Sequence, residues 1–149
     1  MAAIVGRQGT AQVFITDGAD ATLALADKLT HLTTFTPPTA EPTEVDVTDF
    51  DSTGKEYEYG TVNYGELQAT QHLTDDEYNN MMTRVTSQTA CTMAYFIVKK
   101  DGSTLAVGRK GNCYVKSCTL EGVEVDGAIT VQTTFKITGA TSTATLPSA

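Results

Sequence analysis

Ile129-Thr130-Val131-Gln132-Thr133-Thr134-Phe135-Lys136-Ile137 alternates with a period of two. Ile129, Val131, Phe135 and Ile137 fall on one side, and Thr130, Gln132, Thr134 and Lys136 on the other. Successive side chains of a strand point to opposite faces, so the stretch reads as a strand with one core face and one polar face. Thr61–His72 repeats the pattern, with Leu67 and Ala69 set against Glu66, Gln68, Thr70 and His72. Ala90–Lys99 is apolar on both sides, with Met93, Tyr95 and Ile97 against Ala94, Phe96 and Val98, which predicts a strand covered on both faces. Lys100-Asp101-Gly102-Ser103 is a hairpin turn signal. Thr104–Lys110 and Asn112–Leu120 read as two further strands, and Ala11–Ile15 as a short one.

Two regions differ. In Ala21–Phe35, Leu25, Leu29 and Leu32 fit a helix face, but Thr30, Thr33, Thr34 and Phe35 favour extended chain, so Leu29–Thr36 is read as a strand. Pro37-Pro38 ends it, and Thr39–Pro42 continues as a loop. The second is a helix. Thr74-Asp75-Asp76-Glu77 has the form of a capping box, Leu73 and Tyr78 stand where a hydrophobic staple would, and Asp75 and Asp76 suit the positive end of the helix dipole. Tyr78, Met81, Met82 and Val85 then supply an apolar packing face.

The predicted fold is mainly β: an antiparallel β-sandwich or partly closed barrel, with one short flanking α-helix at about 75–86 and a long loop at about 51–65. Residues 1–139 are expected to form one domain with residues 1–9 as an N-terminal arm, and 140–149 a flexible tail.

The chain has 149 residues and a net charge of -8, with its ten basic residues scattered, which argues against binding nucleic acid by phosphate neutralisation. No run approaches the ~20 apolar residues of a membrane helix, so no membrane insertion is expected. Cys91, Cys113 and Cys118 form no CxxC, and the odd spacing of Cys113 and Cys118 puts them on opposite sides of one strand, where they would not share a metal, so the three are read as small buried thiols. His31, His72 and the cysteines share no metal-ligand spacing, and neither a nucleophile elbow nor a phosphate loop is present. Asp46, Asp49 and Asp51 lack the glycine and closing glutamate of a calcium loop. No catalytic residue, metal or cofactor is assigned.

Glu44-Val45-Asp46-Val47-Thr48-Asp49-Phe50-Asp51-Ser52 begins as a strand and breaks into Gly54-Lys55-Glu56-Tyr57-Glu58-Tyr59-Gly60. Tyr64-Gly65-Glu66-Leu67 then opens a long strand, followed by the Asp75-Asp76 helix start, Gly111-Asn112-Cys113-Tyr114-Val115-Lys116-Ser117, and Ile129–Gly139. In this order, over Ala11 to Gly139, the chain resembles the major tail protein, or tail tube protein, of long-tailed bacteriophages. It departs from the family at Tyr59-Gly60, where a Pro-Gly step is common, and no C-terminal immunoglobulin-like domain is expected after Gly139.

The resemblance implies a β-sandwich with a flanking helix, similar to the tube protein of type VI secretion. It implies a virion structural protein, made in the bacterial host cytoplasm and located in the virion tail. Copies would form stacked hexameric rings around a path for DNA into the host cell. Tape-measure, tail-terminator and baseplate proteins would be further partners. The loop residues Asp51, Lys55, Glu56, Tyr57, Glu58, Tyr59 and Tyr64 are expected to contact a neighbouring copy, since tyrosines give contact area at low entropy cost. The faces Glu66/Gln68/Thr70/His72 and Thr130/Gln132/Thr134/Lys136 are the candidate lumen, where an acidic wall would repel DNA weakly over about 8 Å at physiological salt. A tail-terminator or baseplate hub protein of the same fold is the alternative, and a non-polymerising β-sandwich binding module the next.

Overall fold

The structure is a computed structural model that describes residues 11–74, 76–99 and 105–147, with the backbone alone at Leu25. The expected N-terminal arm, the Lys100–Ser103 turn and the dipole role of Asp75 lie outside the described residues. Strands β1 (Ala11–Asp17), β2 (Leu32–Thr36), β5 (Glu66–His72), β6 (Cys91–Val98), β7 (Leu105–Glu121) and β8 (Thr130–Ile137) form one antiparallel sheet in the order β1-β6-β7-β8-β5-β2. A short β9 (Ser142–Thr143) pairs with β7, and β3 (Glu41–Asp46) pairs with β4 (Tyr57–Asn63) as a separate two-stranded sheet. Helix α1 (Glu77–Ser87) packs on β7.

The two segments expected as separate strands on either side of Gly111 are one 17-residue strand, β7. Its first half pairs with β6, from Leu105 opposite Val98 to Cys113 opposite Cys91. Its second half pairs with β8, from Cys113 opposite Ile137 to Glu121 opposite Thr130. The two halves of the sheet curl over a shared core. Val13, Ile15, Met93 and Tyr95 from one half meet Leu67, Ala69, Val115, Phe135 and Ile137 from the other. Phe35 on β2 reaches Tyr95 on β6 with ring centroids 6.0 Å apart. The result is sandwich-like and open.

A bulge between Val115 and Ser117 changes the parity of β7. One extra residue flips every later side chain to the other face. Cys118 therefore returns to the core side, opposite Thr133, and packs against the same cluster that holds Cys113. The expectation that these two thiols face opposite ways holds only for a regular strand. Burial holds the Cys113 thiol up at about 12 and raises those of Cys91 and Cys118, so none is a ready thiolate.

The chain between β1 and β2 is less extended than expected. It makes a 3-10 turn at Leu25–Asp27, and the amide of Leu29 donates to Val13 O at 2.8 Å, which draws Leu29 into the core. His31 takes φ 55, and β2 starts only after this left-handed residue.

The helix starts at Glu77 without the capping box. Asp76 is its N-cap and makes no side-chain cap bond, which puts Glu77 at the first helical position rather than the third, and Thr30 Oγ1 donates to Glu77 Oε1 at 2.7 Å. The helix ends at Gln88, which adopts φ 52 and donates its amide to Arg84 O at 3.0 Å. Of the expected packing face, Met81 enters the core and Val85 packs against it, while Tyr78 and Met82 are half-buried. Arg84 Nε bonds Asp17 Oδ1 at 2.9 Å and ties α1 to β1.

The segment expected to be a flexible tail is docked as far as Pro147. Arg109 donates to Thr141 O and Thr141 Oγ1 at 3.0 and 2.8 Å, and Ala144 N donates to Gly108 O at 3.0 Å. Ala144 and Leu146 cover a second apolar cluster of Phe14, Ala94 and Phe96 on the outer side of β1 and β6. The Phe14 and Phe96 rings meet edge to face at 5.4 Å. This segment and Leu23 are why β6 is buried on both faces. Gly108 is required there, since a Cβ would collide with the Ala144 carbonyl and with Leu105. Truncation after Gly139 is expected to uncover Phe14 and Phe96 and to cost about 2 kcal/mol, read as a urea midpoint lowered by roughly 1 M. An unchanged midpoint would mean that the segment does not dock.

Candidate assembly surfaces

The predicted loop at 51–65 is mostly hairpin. Tyr57–Asn63 forms β4, with Glu44 opposite Tyr59, Val45 opposite Glu58 and Asp46 opposite Tyr57. Tyr57, Tyr59, Thr61 and Val62 are strand-favouring residues, and Glu44–Thr48 was the available partner. The turn at the tip is held by its own acids and hydroxyls. Asp46 Oδ1 accepts from Thr48 N at 2.9 Å, Asp49 Oδ1 accepts from Asp51 N at 3.0 Å and from Ser52 Oγ at 3.1 Å, and Thr48 Oγ1 accepts from Glu56 N at 2.8 Å. The bond from Thr48 holds the Asp46 carboxyl below its usual range. These carboxylates thus cap backbone amides, and among the described residues no group of three or more His, Cys, Asp or Glu could hold a metal ion.

Gly65 separates β4 from β5. It takes φ 73, and a Cβ there would lie 2.8 Å from Thr39 O, so Thr61–His72 cannot run as one strand. Tyr64 is half-buried against the core and anchors the base of the hairpin; the expected loop residues Asp51, Lys55, Glu56, Tyr57, Glu58 and Tyr59 are all exposed.

Every residue of β3 and β4 is exposed. One face carries Tyr57 and Tyr59 opposite Asp46 and Glu44; the other carries Val45 beside Glu58. Phe50 at the tip is fully exposed. Between Glu41 and Asn63 there are seven acidic residues and one lysine, so the hairpin holds six of the chain's eight net negative charges. A lone two-stranded hairpin is marginal in water, and Val45, Val47, Phe50, Tyr57, Tyr59 and Val62, spread over its two faces and tip, are left without cover from this chain.

The second surface is the polar side of β5 and β8. Register brings the eight expected residues together as four opposed pairs: Glu66 with Lys136, Gln68 with Thr134, Thr70 with Gln132, and His72 with Thr130. Gln68 and His72 are exposed, Thr134 is buried, and the rest are half-buried. β7 extends the face with Tyr114, Ser117, Thr119 and Glu121, and β2 extends it with Thr34 and Thr36. Lys116 crosses β8 to bond Glu66 Oε1 at 2.7 Å. That bond holds the Glu66 carboxyl below its ordinary value and the Lys116 ammonium above its own. Glu66 and Glu121 balance Lys116 and Lys136, so the face is polar but charge-neutral rather than the acidic wall expected. The acidity is concentrated on the hairpin, which leaves the sheet at the Glu66 end of β5.

No family model and no curated protein matches the sequence. Solved structures do. A chain of the SPP1 tail tube superposes with a TM-score of 0.67 at 13% identity, covering 95% of this chain and 80% of that one. This is the tail-tube fold. A chain from the anti-feeding prophage tube-terminating cap gives 0.66 at 12% identity over 97% of this chain and 95% of that one. The tail of an empty gene transfer agent particle, refined helically with C6 symmetry, gives 0.63 at 12% identity over 95% and 100%. Among the described residues no helix is long and apolar enough to cross a membrane.

In Lys116→Met the Glu66 carboxyl is expected to titrate closer to its ordinary 4.5, followed by NMR of its side-chain carbon against pH. Because the folded value is depressed, the stabilisation by this pair is present above pH 4.5 and is lost as the pH falls through the folded value. An unmoved midpoint would show that Lys116 does not hold Glu66 in solution.

Proposed function

We propose that this chain is a structural subunit of a phage-type tail tube, with no catalytic role. Copies assemble side by side into hexameric rings, and the rings stack into a conduit for DNA delivery into the host cell. The observation that carries the reading is the β3–β4 hairpin: an acidic, aromatic arm exposed at every strand residue, on a body with the tail-tube fold. Such an arm has a use only against another molecule, and the first candidate is a second copy. The six-fold symmetry of the gene transfer agent tail, built of chains with this fold, supports a ring of six. β2 ends the sheet, and a neighbour's strand beside it would satisfy an otherwise open edge.

In this reading the neutral face of β5 and β8 lines the bore. Hydroxyls, amides and internally paired charges offer a polyanion no cationic track to bind. The tape-measure protein inside, and terminator and baseplate proteins at the ends, are the further partners. The chain is made in the bacterial host cytoplasm and resides in the virion tail. The likeness to a chain of a tube-terminating cap supports one alternative, a terminator that forms rings without stacking them.

Negative-stain microscopy across a concentration series is the test. Tubes or stacked six-fold rings are expected; hexamers that never stack would favour the terminator, and a strict monomer at high concentration would overturn both. The hairpin can be tested separately. Pro42 and Val62 are cross-strand partners, so residues 43–61 can be replaced by a Gly-Gly turn. The expected variant unfolds within about 1 kcal/mol of the parent, as for removal of exposed surface chain, but forms no tubes. Normal tube growth by this variant would remove the hairpin from assembly.

A further inference from the structure

The geometry points to a seat for the hairpin: the groove between residues 20–23 and 143–147, floored by Lys110 of β7, receives the Tyr57/Tyr59 face of the β3–β4 hairpin of a second copy. The inference rests on the reading of the chain as a self-assembling subunit and names the surface that the arm would grip.

The groove has a volume of about 560 Å³, within the ~300–1,000 Å³ of sites that enclose ligands or anchor side chains. Its walls are Ala21 and Leu23 on one side, and Leu146 and Pro147 on the other. Leu23 and Leu146, with Ala144 between the walls, also pack on the small cluster of Phe14, Ala94 and Phe96, which holds the two walls in place. Lys110 lies on the outer face of β7, opposite Ala94 on one side and Ser142 on the other, and it is exposed. Among the described residues it makes no ion pair. Asp20, the one acid lining the groove, is turned to Asn112: its amide donates to Asn112 Oδ1 at 2.8 Å and its carboxylate accepts from Asn112 Nδ2 at 3.2 Å.

Charge selects the occupant. Among the described residues that line the groove the charges are Lys110 and Asp20, and Asp20 is committed to Asn112, which leaves the lysine to favour an acidic occupant. The hairpin is such an occupant, with seven acids to one lysine. Complementary patches steer encounter and fix register. The exposed groove at the far end of the sheet, lined by Leu73, Tyr78 and Leu120, is excluded as the seat on the same ground. It is lined by Asp76 and by no basic residue, and Glu121 follows Leu120 in β7, so it would repel the arm. On the hairpin, the face with Tyr57 and Tyr59 sets a carboxylate directly opposite each ring. Asp46 is committed to Thr48 and lies 3.9 Å from Lys55, whereas Glu44 has no ion pair among the described residues. Two aromatic rings against the Leu23 and Leu146/Pro147 walls of a mixed polar and apolar groove, their hydroxyls facing its threonines, with Glu44 paired to Lys110, is the match.

A charge swap tests it. Lys110→Glu and Glu44→Lys are each expected to raise the critical concentration for assembly about tenfold, the effect of losing one interfacial ion pair of about 1.4 kcal/mol. The double variant is expected to return to within about threefold of the parent. Both positions are exposed, and unchanged urea midpoints of the single variants would separate lost assembly from lost folding. In a second measurement, Tyr59→Cys and Thr145→Cys variants are mixed, assembled and treated with a short bismaleimide. A cross-link between chains above the parent's background is expected. If the parent assembles but Lys110→Glu has no effect, or the double variant is no better than the worse single one, or no cross-link forms, the seat is elsewhere. A cross-link in unmixed double-cysteine monomer at high dilution would place the arm in its own groove and overturn the second-copy assignment. A parent protein that never associates would instead overturn the reading of the chain as an assembling subunit.

Discussion

The backbone ladder of β7 is the constraint on which the rest depends. One strand of 17 residues must satisfy donors and acceptors on both edges, and no single neighbour is long enough to do so. β6 and β8, each of 8 residues, divide it between them, with β9 completing the edge at Arg109 and Lys110. Because the two partners meet at Cys113, the sheet turns there and its halves face each other over one core. The bulge after Val115 is part of the same solution. It keeps Cys118 on the core side, and it leaves Lys116 exposed on the polar face and able to reach Glu66.

Charge is distributed by element rather than spread over the surface. The body carries close to balanced charge, and its β5/β8 face is neutral through a short ion pair and a matched lysine and glutamate. The hairpin carries six of the eight net negative charges of the molecule. Under the proposed reading this separation has a physical use. A bore that is merely neutral neither holds nor strongly repels a polyanion, and the acids are free to act where they find basic partners, at contacts between copies.

What was legible in the sequence follows from which signals are local. Period-two alternation fixed β8 and most of β5, and apolar residues on both sides correctly marked β6 as doubly covered. What covers β6 was not legible, because Thr141–Pro147 is small, polar and lacks any period; the clue was Gly108 and Gly111 inside an otherwise strand-like run, which mark a close backbone approach. The bulge in β7 leaves no compositional trace, so its parity was misread. The capping box is absent because the helix starts at Glu77 with Asp76 as its N-cap, which leaves Thr74 outside it and Glu77 at its first position. Alternation places the eight polar residues in register on one face, but neither the burial of Thr134 nor the charge balance, which depends on Lys116 crossing a strand, is legible in it. Of the contact loop, composition gave the acids and tyrosines, while the pairing of β3 with β4 was hidden because neither strand buries a face.

That last failure bears on function. A strand is normally recognised because one side is dry, and β3 and β4 have no dry side. Ordering a residue costs about 1–2 kcal/mol of backbone entropy, and here only cross-strand hydrogen bonds and side-chain pairs worth roughly 0.2–1 kcal/mol each oppose it. In the free chain the arm is therefore near the balance point between hairpin and coil, and Tyr64, packed at its base, keeps it tethered to the core. A second surface that buries Tyr57 and Tyr59 would tip that balance, and under the proposed reading ordering of the arm and association of copies would be one step. Such coupling would make assembly steep in concentration, and it would place the control of assembly in the two strands that bury nothing in the core of the body.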